Sequence, residues 1–301
     1  MTKREFLAGS IGAGLALGNG TAAMAQQAAA AVRKEGGPSA KGGVISTRKA
    51  KTTKLFKVPA GYPNGIAVTP EGLWIAEQKL NGQQAVAYGL PEPKDLTENA
   101  WLVDWSGKVL RTVKTQSRNT SGMAVGGGYV WMVANAPPEG VFQVDMNSKQ
   151  ISHRQIPLGP ANDGGGCHGA LWQDGKLWIA SLRLRGNLRV DPKTFQPEFM
   201  IPFYQAPERT RYHGIAWDNG SMWQVVGNDC KRYSEYKPCL VRYDGATGKV
   251  QEVVDFLPGS CDPHGLAMHN GKLVACDAGI HPGWPNNDSP TAGWIFQIDF
   301  V

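Results

Sequence analysis

The sequence predicts an all-β protein: a single β-propeller of five four-stranded blades, six being the alternative count. Three observations carry this. The first is composition: 38 Gly and 20 Pro in 301 residues, with only 19% charged residues, argue against long solvated helices and for short strands joined by tight turns. The second is an internal repeat. NGIAVTPEGLW, SGMAVGGGYVW, HGALWQDGKLW, HGIAWDNGSMW and HGLAMHNGKLV begin at Asn64, Ser121, His168, His213 and His264, each with Gly second and Trp, or Val274 in the last, ten residues after the first. The third is strand periodicity within each repeat: an apolar run, a Gly/Asn/Asp turn, a second apolar run, a third ending in Asp, then a more polar one.

The elements follow in order. Each repeat opens with a hairpin, as in Asn64 to Ala76, and its third strand closes on Asp104, Asp145, Asp191, Asp244 or Asp299, a residue that opens turns. Repeat starts lie 57, 47, 45 and 51 residues apart, the length of a propeller blade. The last unit ends after its third strand, so the stretch Lys54 to Val58 is expected to supply its fourth and close the ring. The recurrent Trp is read as core between blades.

Ahead of residues 44–301, two segments stand apart. Residues 1–25 have a basic start, a short apolar run and Ala23-Met24-Ala25, the layout of an export signal, so a periplasmic or secreted mature protein is expected, with no membrane span. Lys3-Arg4-x-Phe6-Leu7 resembles a twin-arginine leader with Lys for the first Arg, which implies export of a folded chain. Residues 26–43 read as a flexible basic linker. Eight Lys and Arg between 26 and 57 face Glu35 alone, so the formal charge of +6 belongs to residues 1–57 and residues 58–301 carry about none of it. The body is nearly neutral, and no nucleic-acid partner is expected. Among five cysteines, Cys230 and Cys239 flank a polar segment that a disulfide can staple, while Cys167, Cys261 and Cys276 read as buried apolar residues.

Function is sought where the repeat varies. The leading residue of each repeat, Asn64, Ser121, His168, His213 or His264, is expected on the channel wall, and three of the six histidines occupy this one position. Thirteen residues on, Glu77 and Asp277 are expected across the hairpin from Asn64 and His264. Neutral imidazoles with carboxylates form a divalent-metal ligand set: His168, His213 and His264 suit Zn or another transition ion, and Asn64 with Glu77 suits Mg or Ca. The sequence leaves open which half of the ring holds an ion. Arg118, Arg183, Arg185, Arg209, Arg211 and Tyr212 sit on segments near the channel mouth and point to a small anionic or carbonyl-rich substrate. His281 is a further candidate at the rim. His153 and His269 fall on an outer strand and a turn.

Tyr62-Pro63-Asn64-Gly65-Ile66-Ala67 with Gly72-Leu73-Trp74-Ile75-Ala76-Glu77, and Pro263-His264-Gly265-Leu266-Ala267 with Gly271-Lys272-Leu273, resemble the blade signature of the streptogramin B lyase, NHL-repeat and gluconolactonase propeller superfamily. In the streptogramin lyase, a channel His and an acid on the same hairpin act with a divalent metal to open an ester ring by elimination. His264 and Asp277 match that layout, with Asp for the usual Glu. The gluconolactonase branch binds a metal through Asn and acidic residues for lactone hydrolysis, to which Asn64 and Glu77 are similar. The peptidyl-hydroxyglycine lyase propeller holds zinc on three channel histidines, to which the His168, His213 and His264 trio is similar. The resemblance implies a metal-dependent lyase, with Asp277 or a histidine as base and Arg211 and Tyr212 orienting the substrate. A lactone hydrolase or a non-catalytic periplasmic binding propeller are the alternatives.

Overall fold

The computed structural model describes residues 48–59, 62–79, 86, 94–135, 137–157, 166–206, 209–228, 237–277 and 293–301. The leader, the linker, His281 and Cys230 lie outside these residues. Every named element is a strand. β1 (Lys49–Lys57) comes first, followed by three four-stranded antiparallel sheets. They comprise β2 (Tyr62–Thr69), β3 (Gly72–Gln78), β4 (Asn99–Val103) and β5 (Val109–Lys114); β6 (Thr120–Gly126), β7 (Tyr129–Ala134), β8 (Gly140–Asp145) and β9 (Gln150–Arg154); and β10 (Cys167–Gln173), β11 (Lys176–Ser181), β12 (Gly186–Val190) and β13 (Pro197–Pro202).

The remaining strands are β14 (Arg211–Asp218), β15 (Ser221–Gly227), β16 (Cys239–Asp244), β17 (Val250–Phe256), β18 (Leu266–His269), β19 (Lys272–Cys276) and β20 (Trp294–Phe300). They join β1 in one eight-stranded sheet of order β14-β15-β16-β17-β1-β20-β19-β18, where separate four-stranded sheets were expected. The cause is local. β1 pairs antiparallel with β20 along its length, and at its start it also pairs parallel with β17, Lys49 with Asp255 and Ala50 with Phe256. The Lys49 ammonium lies 3.2 Å from Asp255, and the Leu257 amide donates to the Ala50 carbonyl at 2.7 Å. Just before β1, Arg48 bonds both oxygens of Glu252 at 2.5 and 2.7 Å and lays its guanidinium 3.9 Å over the Phe300 ring. The closing strand is thus held from both sides.

The first strands, β2, β6, β10, β14 and β18, touch one another in sequence, and β18 returns to β2. Glycine permits this. A Cβ on Gly65 would stand 2.6 Å from the Gly122 Cα, one on Gly122 2.7 Å from the Gly169 Cα, one on Gly169 3.2 Å from the Gly214 Cα, one on Gly214 2.8 Å from the Gly265 carbonyl carbon, and one on Gly265 2.9 Å from the Gly65 Cα. The second position of the repeat is therefore a backbone-to-backbone contact around one axis.

The recurrent Trp behaves as read. Trp74, Trp131, Trp178 and Trp223 are buried and pack between neighbouring sheets with residues such as Met123, Leu177 and Ile215. Four of the turn aspartates also match. The Oδ1 atoms of Asp104, Asp145, Asp191 and Asp244 accept backbone amides two to four residues on. Asp299 differs: it faces the closing strand and accepts the Thr53 hydroxyl at 3.0 Å.

Replacing Gly122 by Ala is expected to cost roughly 1–3 kcal/mol or more, because backbone atoms of β10 must move aside. Gly271→Ala meets open space at φ +74 and costs only the left-handed penalty of about 1 kcal/mol. Denaturant midpoints of the two variants rank them, and equal losses would refute the axial-contact account.

Candidate functional site in the central channel

At each leader the hairpin register slips. It shifts between Pro63 and Gly65, Thr120 and Gly122, Cys167 and Ala170, and Tyr212 and Ile215. The leaders Asn64, Ser121, His168 and His213 therefore sit in bulges, which re-aim a side chain away from the ladder. The residue thirteen positions after the leader pairs one place earlier than expected: Glu77 opposes Pro63, and Ser181 opposes Cys167.

Three of the freed side chains do one job. Asn64 Nδ2 donates to the Thr120 carbonyl at 3.3 Å, Ser121 Oγ to the Cys167 carbonyl at 2.6 Å, and His168 Nδ1 to the Tyr212 carbonyl at 2.9 Å. In every case the acceptor is the residue just before the next leader. This wiring links successive sheets and places a proton on Nδ1 of His168, since a carbonyl only accepts. The other nitrogen, Nε2, then accepts from the Asn135 amide. With both nitrogens engaged inside the protein, His168 has no lone pair to offer an ion, and the expected three-histidine ligand set is not what the geometry displays.

The rings nevertheless converge. His168 and His213 stack at 4.8 Å between centroids with 8° between planes, and His213 meets His264 edge to face at 4.3 Å. Beyond His264 the sequence-based expectation was incomplete. Asp262, His264 and Asp277 each offer a ligand atom, all within 4.8 Å of one another, and all three residues are buried. His264 Nδ1 lies 3.7 Å from Asp262 Oδ2, and the Asp262 amide donates to Asp277 Oδ2 at 3.2 Å. The 3.7 Å gap exceeds a hydrogen bond but is close to the roughly 3.4 Å separating two ligands about 2.1 Å from a tetrahedral ion.

No family model matches the chain, and no curated protein does. Among solved structures, the exo-β-1,3-galactanase of Phanerochaete chrysosporium is similar with a TM-score of 0.52 and 9% identity, over 83% of this chain and 64% of that one. The α-L-arabinofuranosidase of Clostridium thermocellum is similar with a TM-score of 0.47 and 12% identity, over 81% of this chain and 90% of that one.

The fold is a β-propeller.

At such identities the likeness extends to the fold alone, and the chain spans 64% of the galactanase's length. Within this propeller, the half of the ring opposite the histidines is rich in oxygen. Glu77 Oε2 accepts the Asn99 amide and side chain at 3.0 and 2.7 Å, and Asn64 Nδ2 donates to Gln78 at 2.9 Å. Beside them is Glu98, which sequence reasoning missed. It is wholly buried and accepts the Lys79 amide at 2.7 Å and the Thr120 amide at 2.8 Å. Burial pushes its carboxyl up to about 7, against the pull of those donors and the Thr120 hydroxyl, and the charge of Glu77 adds to the rise.

Of the remaining candidates, Tyr212, Arg209 and Arg185 are engaged elsewhere in the structure. Tyr212 keeps its ring in the core against Phe203 and its hydroxyl 2.9 Å from the carbonyls of Tyr204 and Arg209, so only its backbone oxygen faces the channel histidines. Arg209 is engaged by Asp255 at 2.7 Å, and Arg185 covers the Tyr212 ring. Arg211 opens β14 half-buried, and Arg118 is exposed. His153 stacks on Phe142 and His269 on Trp105. Cys167, Cys261 and Cys276 are buried thiols whose ionisation burial opposes, consistent with packing roles. Among the described residues no helix is long and apolar enough to cross a membrane.

Glu98 has a pH signature. Its folded value of about 7 lies above the ordinary 4.5, so the folded state keeps a proton that the unfolded chain has released, and stability falls as pH rises between them. The loss amounts to up to about 3 kcal/mol at 1.36 kcal/mol per unit. Urea midpoints at about pH 5 and about pH 8 should show a steeper fall for the wild type than for Glu98→Gln. Parallel profiles would place the titration elsewhere.

Proposed function

We propose that this protein is an exported enzyme whose reaction centre is a divalent ion held by Asp262, His264 and Asp277 at the channel, and that it acts as a lyase on a small anionic or ester- or ether-containing molecule. One observation supports this above the others: two carboxylates and an imidazole, all buried, bring donor atoms within 4.8 Å of each other. Buried carboxylates are costly unless a cation or hydrogen bonds compensate them, and His264 is the one basic side chain in the group. The donor set of two oxygens and one nitrogen suits Zn or another transition ion better than Ca. We read the ring as five blades, the eight-stranded sheet being two of them joined where β1 meets β17.

Such an ion acts as a Lewis acid on a carbonyl or leaving-group oxygen. The chain's own residues supply the rest. With Asp277 in the ligand group, the base moves from Asp277 to His213, whose ring meets His264 at 4.3 Å. In an elimination His213 takes the proton from the carbon next to the carbonyl, that electron pair forms the new double bond, and the carbon–oxygen bond beyond it breaks. The departing oxygen recovers a proton, so no water is consumed. Arg211, half-buried beside the histidines in sequence, is retained as the residue that orients an anionic substrate; Tyr212 is not.

A second reading is lactone hydrolysis at the Asn64, Glu77 and Glu98 side with Mg or Ca. It is favoured by Asn64 Oδ1, which is buried and has no hydrogen-bond partner among the described residues. Metal analysis of the purified protein separates the two. Stoichiometric transition metal lost in Asp262→Asn and His264→Ala but kept in Glu77→Gln supports the first reading; the reverse supports the second. Full metal content in all three variants, or no metal in the wild type, would leave a binding propeller. Product mass then distinguishes chemistry: elimination conserves the substrate's mass and hydrolysis adds one water.

A further inference from the structure

We propose that Asn135 is a positioning residue for this centre, acting through His168 and His213. The inference rests on the metal-centre reading above and extends it to a residue outside the ligand group. Asn135 follows β7 directly, His168 lies at the start of β10 in the next sheet, and His213 and His264 lead the two repeats after that. A single array therefore crosses four successive repeats.

Its direction is set by the wiring between sheets. At the two preceding leaders, Asn64 and Ser121, the side chain donates to the carbonyl in front of the next leader. For His168 that duty consumes Nδ1–H on the Tyr212 carbonyl. Nε2 is then obliged to accept, and the Asn135 amide supplies the donor. The two contacts hold the imidazole at both ends, fix one tautomer and fix the ring plane. Stacked on that plane within 8°, His213 has its own ring orientation set, and it meets His264 at 79°, the orthogonal arrangement that aromatic rings favour.

Two consequences follow from one amide. Asn135 aims His213 at the ligand histidine, and it keeps His168 Nε2 occupied, so that the ion is held with Asp262 and Asp277 rather than among the three imidazoles. Removing a group that bonds a metal ligand directly typically changes metal affinity about 10–100-fold, and Asn135, acting through two further rings, is expected at the low end of that range. The hydrogen-bond partner of the Asn135 side chain among the described residues is His168, outside the ligand group, so its effect is indirect.

Co²⁺ is the probe, because its visible spectrum reports ligand type and geometry. Wild type, Asn135→Ala, Asn135→Asp and His168→Phe are compared by Co²⁺ titration, with circular dichroism as the folding check. Asn135→Ala is expected to weaken Co²⁺ binding by roughly 10-fold or to shift its spectrum toward more nitrogen ligands as His168 is released. His168→Phe keeps a flat ring against His213 without a competing nitrogen and should recover the wild-type spectrum. Asn135→Asp, which accepts where Asn donates, serves if the Ala variant does not fold. In parallel, ¹⁵N spectra of the metal-free protein should show His168 with Nδ1 protonated and Nε2 unprotonated, a state lost in Asn135→Ala. Co²⁺ binding unchanged in both Asn135 variants, or a His168 that exchanges freely between tautomers in the wild type, overturns the proposal. If wild type binds no Co²⁺ while the locked tautomer is present, the metal-centre reading fails and the lock itself survives.

Discussion

Five glycines meeting backbone to backbone around one axis are the contact on which the rest of this structure depends. Each sheet can approach the next only because its second repeat position has no side chain, and the virtual Cβ positions fall on main-chain atoms, which cannot rotate away. That closeness decides what precedes each glycine. At four leaders, Asn64, Ser121, His168 and His213, the side chain leaves the ladder as the register slips, while His264 stands just ahead of β18. The same closeness lets a leader reach the carbonyl in front of its neighbour, so Asn64, Ser121 and His168 become struts between sheets.

This accounts for an asymmetry in the channel. On one side the leaders are amide and hydroxyl, backed by Glu77 and Glu98, whose carboxyl oxygens accept from backbone amides and Asn99. On the other side three imidazoles run toward two buried carboxylates. Burial acts differently on the two halves. Glu98 can shed its charge by keeping a proton near neutral pH. Asp262 and Asp277 stand beside one imidazole, with a ligand atom of each of the three within 4.8 Å of the others.

Particular residues show how far sequence reading reaches. The tenth-position Trp was legible because burial of a large ring repeats at a fixed strand position. The leaders were legible because one position was filled by His three times. Asp277 was legible by its spacing within a hairpin. Asp262 was not: it lies two residues before its leader, outside the aligned window, and is brought in by the path of the chain into β18. Glu98 was missed because an acid at the start of an apolar strand reads as solvent-facing, whereas here amides from two other segments enclose it. Tyr212 was misjudged because its neighbour at the mouth suggested a substrate role, while the strand's alternation turns its ring into the core beside Phe203.

Composition and the repeat alone determined that the chain is all-β and radially repeated, since glycine spacing and two-residue periodicity are local and survive without any knowledge of neighbours. They also singled out the repeat position that carries Asn64, Ser121 and the three histidines. Only the tertiary structure decided what those positions do. Whether a histidine is a strut or a ligand depends on which carbonyl or amide its two nitrogens meet, and those partners come from other sheets, 33 and 44 residues away for His168.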